Sequence, residues 1–227
     1  MLSIISKINS SNKLSEIVQH KLKETIKPLF RKGEYSTKEE TNEVLETIKT
    51  RRSTRAFERK QIKKNEIEKI LEVAKNTPSA MNKQPWKVYV VQKEELIRKI
   101  GGEISEVLTP QMTFLQRAKK QLQVPDPILY DAPTVLFITT KKERSMPLFI
   151  DIDVGIYLAN LNLAAESLGI NSVIVGLTKM HEEPVLKFLN IPDDETFKIA
   201  LALGYRDSNR HPPEKKEIVT GNIKWID

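Results

Sequence analysis

The sequence contains no cysteine among its 227 residues. This absence excludes disulfide bonds, thiolate nucleophiles, cysteine-ligated metals and iron–sulfur clusters, and it fits a reducing cytoplasm. Histidine is scarce as well: His20, His181 and His211 lie far apart and share no metal-ligand spacing. We therefore expect three surface or packing histidines and no metal site.

Long apolar runs and glycine-rich turns are also missing. No segment approaches the roughly 18 uninterrupted apolar residues of a membrane-spanning helix, and Met1–Lys7 is too short and polar for the core of a secretory signal. None of the 8 glycines builds the glycine-rich nucleotide turn of a Rossmann fold. These features predict a soluble cytoplasmic protein without stable membrane insertion.

What the chain does contain is charge and enough apolar residues for one sizeable core. Charged residues make up 30% of the sequence and hydrophobic residues 39%, with a formal net charge of +7. Such a charge attracts phosphates in general, including nucleic acids, membranes and nucleotide cofactors. A basic nucleic-acid-binding protein is one alternative function, but no interleaved aromatic or recognition-helix pattern supports it, and we expect no nucleic-acid partner.

The first part of the chain differs from the rest. Between residues 12 and 30, apolar residues recur at helical spacing opposite lysines and glutamates, at Leu14, Ile17, Val18, Leu22, Ile26 and Leu29. We predict a helical N-terminal extension over residues 1–45 and one catalytic domain over residues 46–227. The amphipathic helix is expected to pack on its own protein or on a partner subunit more often than on a membrane.

The catalytic domain alternates helices with short β-rich runs. Strands are predicted at Val88–Val91, Thr134–Thr140, Ser172–Val175 and Phe197–Leu203. This order indicates an α+β fold, with a central mixed sheet of four or five strands covered by helices. The helix predicted over Asp151–Leu168 is apolar on more than one side, so it either forms the core of a monomer or doubles as a subunit interface.

A cationic stretch follows a predicted helix at Arg51–Phe57, where three arginines and two hydroxyl residues lie within five positions. Guanidinium groups match phosphate oxygens in geometry as well as charge, which favours an anion site. The alternative is a cationic helix C-terminus that complements the helix dipole and needs no ligand.

A second polar stretch, Pro78–Trp86, lies between two prolines that fix its backbone. Ser79, Asn82 and Gln84 can each donate and accept hydrogen bonds, as the alternating edge of a flat heterocycle requires. A plain surface turn would use the same residue types, so this stretch alone does not decide between the two.

The ordered pair Arg-Arg-Ser-x-Arg-x-Phe and Pro-Ser-x-x-Asn-x-Gln-Pro-Trp resembles the nitroreductase-like family of FMN-dependent NAD(P)H oxidoreductases. The resemblance runs from about Thr47 to the C-terminus and includes Asp153-x-Gly155. It implies a nitroreductase-like fold and an intertwined homodimer with FMN sites at the subunit interface.

The resemblance also implies roles for individual residues. Arg51 and Ser53 match positions that hold the FMN phosphate and ribityl arm, Arg52 adds backbone contacts, and Arg55 matches the cation beside the N1–C2 edge of the flavin. Val175 and Gly176 match the backbone near the reactive N5, although a simple turn glycine is an equal alternative. The loop matched to the flavin contact from the other subunit, with the supporting glutamine, comprises Pro78, Ser79, Ala80, Met81, Asn82 and Gln84. Late cations that complete the phosphate site are Lys215 and, less closely, Lys216.

The implied reaction is ping-pong transfer of hydride from NADH or NADPH through flavin N5 to a small oxidant such as a nitroaromatic or quinone. No catalytic side chain is predicted, because the cofactor carries the difficult step. Ala80-Met81 and Val175 depart from the family pattern and leave the substrate open. A dehalogenase, a flavin-consuming enzyme and a flavin-binding module without turnover are further alternatives.

Overall fold

The computed structural model describes residues 42–144, 146–210 and 224–226. Seven helices lie in these ranges, and we number them in chain order: α1 Glu43–Thr50, α2 Lys64–Ala74, α3 Glu94–Leu108, α4 Thr113–Leu122, α5 Ile150–Ser167, α6 Leu177–Met180 and α7 Glu183–Leu189. Short 3-10 turns occur at Ala80–Asn82, Thr109–Gln111 and Lys142–Arg144. Within the described ranges no helix has the length and apolar character needed to cross a membrane.

Four strands form one sheet in the order β1-β2-β4-β3. Their bounds are Trp86–Val91 for β1, Thr134–Lys141 for β2, Asn171–Val175 for β3 and Glu195–Gly204 for β4. Each predicted strand is confirmed, and β2, most of whose residues are β-branched, takes an inner position.

Helices cover both faces of the sheet because alternate residues of the inner strands point to opposite sides. Val135 and Phe137 belong to a core cluster with Ile97 and Ile100 of α3, whereas Leu136 packs in a second cluster with residues of α2 and α5. The predicted α+β architecture of helices over a sheet is therefore confirmed.

The prediction of a mixed sheet is wrong, because the four strands pair in antiparallel fashion only. β1 pairs with β2, β2 with β4 and β4 with β3, and all three pairings are antiparallel. In the described chain, parallel pairing is limited to one isolated bridge between Ser53 and Ser172. The stretch around Ser53 runs beside β3 but joins it at one residue pair only, so it adds no fifth strand.

The long apolar helix ends as the sequence indicated. Gly169 adopts a φ of +72°, and its N–H donates to the carbonyl of Glu166 at 2.9 Å. The Ile170 N–H donates to the carbonyl of Ala165 at 2.9 Å, and the Ile170 side chain is buried. Glycine suits this left-handed position because it lacks a Cβ, and the two bonds satisfy carbonyls at the helix end.

Candidate functional site

The arginine-rich stretch leaves α1 and runs in an extended conformation beside β3. The Arg51 N–H donates to the carbonyl of Thr47 in the last turn of α1 at 3.0 Å. The Thr54 N–H donates to the carbonyl of Ser172 at 3.0 Å, next to the bridge formed by Ser53. The pairing at Ser172 therefore fixes this stretch to β3, the edge strand of the sheet.

Side chains of this stretch alternate between the interior and the surface. Thr54 and Ala56 are fully buried, whereas Ser53 and Arg55 are only partly buried. Because successive side chains of an extended chain point in opposite directions, Ser53 and Arg55 share one accessible face. That face carries a hydroxyl and a cation, the donor set that an anionic, hydroxyl-bearing ligand requires.

Arg52 has a different local role. Its guanidinium donates hydrogen bonds to the carbonyls of Lys49 at 2.6 Å and Arg51 at 2.8 Å. Both acceptors lie at the C-terminal end of α1, where a cation is favourable. The Arg52 guanidinium therefore stabilises the C-terminal end of α1, which is the alternative role considered above for the arginine cluster.

Arg55 contacts a residue that sequence reasoning did not single out. Its guanidinium donates a hydrogen bond to the hydroxyl of Tyr130, a side chain only 8% exposed. Burial raises the pKa of Tyr130, and the nearby charge and hydrogen bond of Arg55 lower it by less. The phenol is therefore neutral at pH 7, so this contact orients the guanidinium without cancelling its charge.

A strained turn holds Tyr130 in place. Tyr130 and Asp131 have φ values of 60° and 50°, which residues other than glycine seldom adopt. The buried carboxyl group of Asp126 accepts hydrogen bonds from the N–H groups of Ile128 at 2.7 Å and Leu129 at 3.1 Å. Burial raises the pKa of Asp126 to about 6, more than the two backbone hydrogen bonds lower it.

The Pro78–Trp86 loop is a second strained segment. Met81, Asn82 and Gln84 have φ values of 50°, 52° and 44°. Inside the loop, the Asn82 N–H donates to the Ser79 carbonyl at 2.9 Å, and the Gln84 N–H donates to the Ser79 hydroxyl at 2.9 Å. The Gln84 side-chain amide also donates to the Asn82 side-chain carbonyl at 2.8 Å, so the predicted polar side chains form one connected group.

Helix α5 anchors this loop. A carboxylate oxygen of Asp153 accepts the Ala80 N–H at 3.0 Å, and the Asn160 side-chain amide donates to the Thr77 hydroxyl at 2.7 Å. Trp86 stacks on Tyr157 with ring centroids 4.4 Å apart and an interplanar angle of 10°. The loop is thus bound to α5, whereas the arginine-rich stretch is bound to β3.

Val175 and Gly176 lie where β3 ends. Val175 is buried at 3% exposure, and its carbonyl accepts a hydrogen bond from the Thr178 hydroxyl at 2.7 Å. Gly176 is exposed with a φ of −70°, and a Cβ at this position would meet no atom within 4 Å. Glycine is therefore required neither by the backbone nor by packing against the residues that the structure describes. It leaves open space beside the end of the strand.

One strand thus connects two of the predicted site segments. β3 carries the bridge to Ser53 at Ser172 and reaches Gly176 four residues later. Lys215 and Lys216 lie outside the described residues, as do His20 and His211. Among the described residues there is no group of three or more metal-ligating side chains, and His181 pairs with Glu183 at 2.8 Å.

Two residues that contact the predicted site were missed from the sequence. Tyr130 lies 75 positions from Arg55, and Asp153 lies 73 positions from Ala80. In the sequence, Asp153 belongs to the Asp-x-Gly pattern, and the signal for its role is an acidic residue in the first turn of an otherwise apolar helix. Nothing in the sequence around Tyr130 pointed to Arg55.

Comparison with known proteins identifies the family to which this arrangement is similar. A model described as nitroreductase family matches residues 48–205. A provisionally named NADH dehydrogenase/NAD(P)H nitroreductase of Archaeoglobus fulgidus is 32% identical over 165 residues, which cover 72% of this chain and 85% of the relative. An iodotyrosine deiodinase of Thermotoga neapolitana is 27% identical over 181 residues, which cover 75% of this chain and 92% of the relative.

Solved structures agree on the fold. The crystal structure of a nitroreductase with bound FMN from Desulfitobacterium hafniense superimposes with a TM-score of 0.67 at 26% identity, covering 82% of this chain and 99% of that one. The predicted family resemblance and the nitroreductase-like fold are both confirmed.

Proposed function

Because the chain belongs to the nitroreductase family, we propose that it is an FMN-dependent oxidoreductase that uses NADH or NADPH to reduce a small oxidant such as a nitroaromatic or a quinone. The observation that carries this proposal is the joining of the Arg51–Arg55 stretch and Gly176 through one edge strand. That arrangement puts cationic and hydroxyl groups near one end of β3 and open space at the other.

The residues present suit a bound FMN. Arg51 and Ser53 would hold the phosphate and ribityl arm, since they are partly accessible and offer charge and a hydroxyl. Arg55, oriented by Tyr130, would face the N1–C2 edge, where a fixed positive charge favours the reduced flavin. Lys215 and Lys216 are proposed to complete the phosphate site.

The Pro78–Gln84 loop is proposed to approach the FMN bound to a second copy of the chain. Two exposed apolar residues of α5 support such an association: Ile152 is 59% exposed and Ile156 is 38% exposed. Gly155 and Ala159 on the same helix are also exposed. A homodimer that covered this face would bury apolar surface and bring the loops towards their partner subunits, and the segment 1–45 is proposed to wrap the partner.

FMN, when bound, would accept hydride from NAD(P)H at N5 and pass the electrons on to the oxidant in the same place. The protein would contribute position and electrostatics. Gly176 would keep the approach to N5 open, because no side chain occupies the space beside it. No acid or nucleophile is required from the chain. We also propose a cytoplasmic location, where NAD(P)H is supplied.

A second candidate is reductive dehalogenation on the same cofactor. The similarity to an iodotyrosine deiodinase over 75% of this chain favours it. Both reactions would need the same FMN site, so the choice between them depends on the oxidant that reoxidises the reduced protein.

The first test is the visible spectrum of the purified protein after incubation with FMN. We expect a flavin spectrum that persists on dialysis and bleaches when NADH or NADPH is added without oxygen. Reoxidation by a nitroaromatic or quinone supports the first candidate, and reoxidation by a halophenol with halide release supports the second. A chain that takes up no FMN refutes both.

Arg51→Ala tests the phosphate contact. We expect its FMN dissociation constant to rise by about tenfold or more, as the loss of a charge-assisted hydrogen bond predicts. Arg117→Ala is the control because Arg117 is an exposed arginine on α4. Equal FMN retention by the two variants would contradict the role of Arg51.

A further inference from the structure

The Pro78–Trp86 loop needs an external support. Three of its residues, Met81, Asn82 and Gln84, have positive φ values, and none of them is glycine. Such conformations persist only where surrounding contacts over-determine them. Among the described residues the Met81 side chain does not supply that support, because Met81 is 78% exposed.

One stripe of α5 supplies the support. Asp153, Tyr157 and Asn160 follow one another at helical intervals of four and three residues, so they lie on the same side of the helix. They contact Ala80, Trp86 and Thr77 respectively. Two of the contacts, at Thr77 and Ala80, therefore precede the strained residues, and the third, at Trp86, follows them.

We propose that Asp153 and Asn160 are positioning residues for the flavin, acting through the Pro78–Trp86 loop; this inference rests on the proposed function. Asp153 is 4% exposed, and its oxygen bonds the N–H of the residue that immediately precedes Met81. The first turn of α5 tolerates this buried acid because a negative charge is favourable near a helix N-terminus. Removing the acceptor leaves the Ala80 N–H without this partner and frees the turn.

The chain offers a matched set of variants. Asp153→Ala removes the acceptor, whereas Asp153→Asn keeps a carbonyl oxygen in its place. Asp151→Ala is the control, since Asp151 lies on the same helix, has a side chain 85% exposed and pairs with Lys198. Asn160→Ala removes the second tether and serves as an independent variant if Asp153→Ala does not fold.

Two measurements are made on each variant. Amide hydrogen exchange of residues 79–86 without FMN reports the loop itself, and FMN titration reports the consequence for the cofactor. For Asp153→Ala we expect both the exchange rate at Ala80 and the FMN dissociation constant to rise by about ten- to a hundredfold. Asn160→Ala changes both in the same direction, while Asp153→Asn and Asp151→Ala stay near the wild type.

The outcomes separate this inference from the function on which it rests. If the wild type binds FMN and Asp153→Ala matches Asp151→Ala in both measurements, the positioning role is wrong and the proposed function stands. Faster exchange with unchanged FMN affinity also overturns it, because the tether would then be structural only. A wild type that binds no FMN overturns both proposals.

Discussion

Two neighbouring glycines of α3 allow a matched test of how the Asp126 turn is held. A Cβ on Gly101 would lie 1.9 Å from a carboxylate oxygen of Asp126 and 2.6 Å from its carboxyl carbon. A Cβ on Gly102 would meet no atom within 4 Å. The two alanine substitutions therefore change helix propensity alike but differ in steric consequence.

The expected free energies of unfolding follow from these contacts. Gly102→Ala should stabilise the protein by about 0.5–1 kcal/mol through helix propensity. Gly101→Ala gains the same term but displaces a buried carboxyl group whose two oxygens accept N–H bonds from Ile128 and Leu129. Losing bonds to a charged acceptor costs about 1.5–3 kcal/mol each, so the net destabilisation should be about 2–5 kcal/mol.

Urea unfolding of both variants at pH 7, followed by circular dichroism, measures the difference. Because the Asp126 turn leads to Tyr130 and hence to Arg55, Gly101→Ala should also weaken FMN binding, whereas Gly102→Ala should not. If the two variants agree within about 0.5 kcal/mol, Asp126 moves aside without loss and this account of the turn is refuted.

Three further predictions test the site, the fold and the association. Tyr130→Phe removes the hydroxyl that Arg55 bonds, so we expect the midpoint potential of bound FMN, measured by dye equilibration, to fall by about 10–30 mV. An unchanged potential would show that Arg55 does not need the Tyr130 hydroxyl. Burial raises the pKa of the Glu195 carboxyl group, but the three side-chain hydrogen bonds that it accepts outweigh burial and lower the pKa. The contribution of Glu195 to stability is therefore present above its ordinary pKa of 4.5 and is lost as the pH falls through the lowered value. Glu195→Gln should therefore cost about 3 kcal/mol at pH 7 and flatten the loss of stability below pH 5 in urea titrations, and parallel pH curves for the two proteins would contradict this. Ile156→Asp should abolish dimers in sedimentation experiments and release FMN, while Val107→Asp, at the similar exposure of 41%, should do neither.

Local sequence pattern predicted the elements of this fold well. The β-branched composition of Thr134–Thr140 indicated a central strand, and Gly169 marked the end of α5. What the pattern could not supply was the partner of each polar side chain. Periodicity tells which side of a helix Asp153 occupies, but the choice of Ala80 as its partner depends on how separate elements pack.

The same limit applies to the pairing of the Arg51–Phe57 stretch. The Arg51–Phe57 stretch runs parallel to β3 at the bridge between Ser53 and Ser172. Only Ser53 forms a bridge to β3, because the backbone that follows pairs with other partners: Phe57 bridges Arg206, and the Glu58 N–H donates to the carbonyl of Tyr205 at 2.8 Å. A segment that changes partners every few residues cannot build a ladder, and no feature of the sequence distinguishes it from one that can.

The two alternatives for the apolar helix α5, a core helix and a subunit interface, do not exclude each other. One face packs in the core through Leu158 and Leu161, and a second holds the Pro78–Trp86 loop through Asp153. A third leaves Ile152 and Ile156 accessible. A helix with two packed faces and a third, exposed face that is apolar has no wide polar side, which is why its sequence lacks a clear amphipathic pattern. A second copy covering the third face would press on the helix turns that carry Asp153, so association and loop geometry would be coupled through one rigid element.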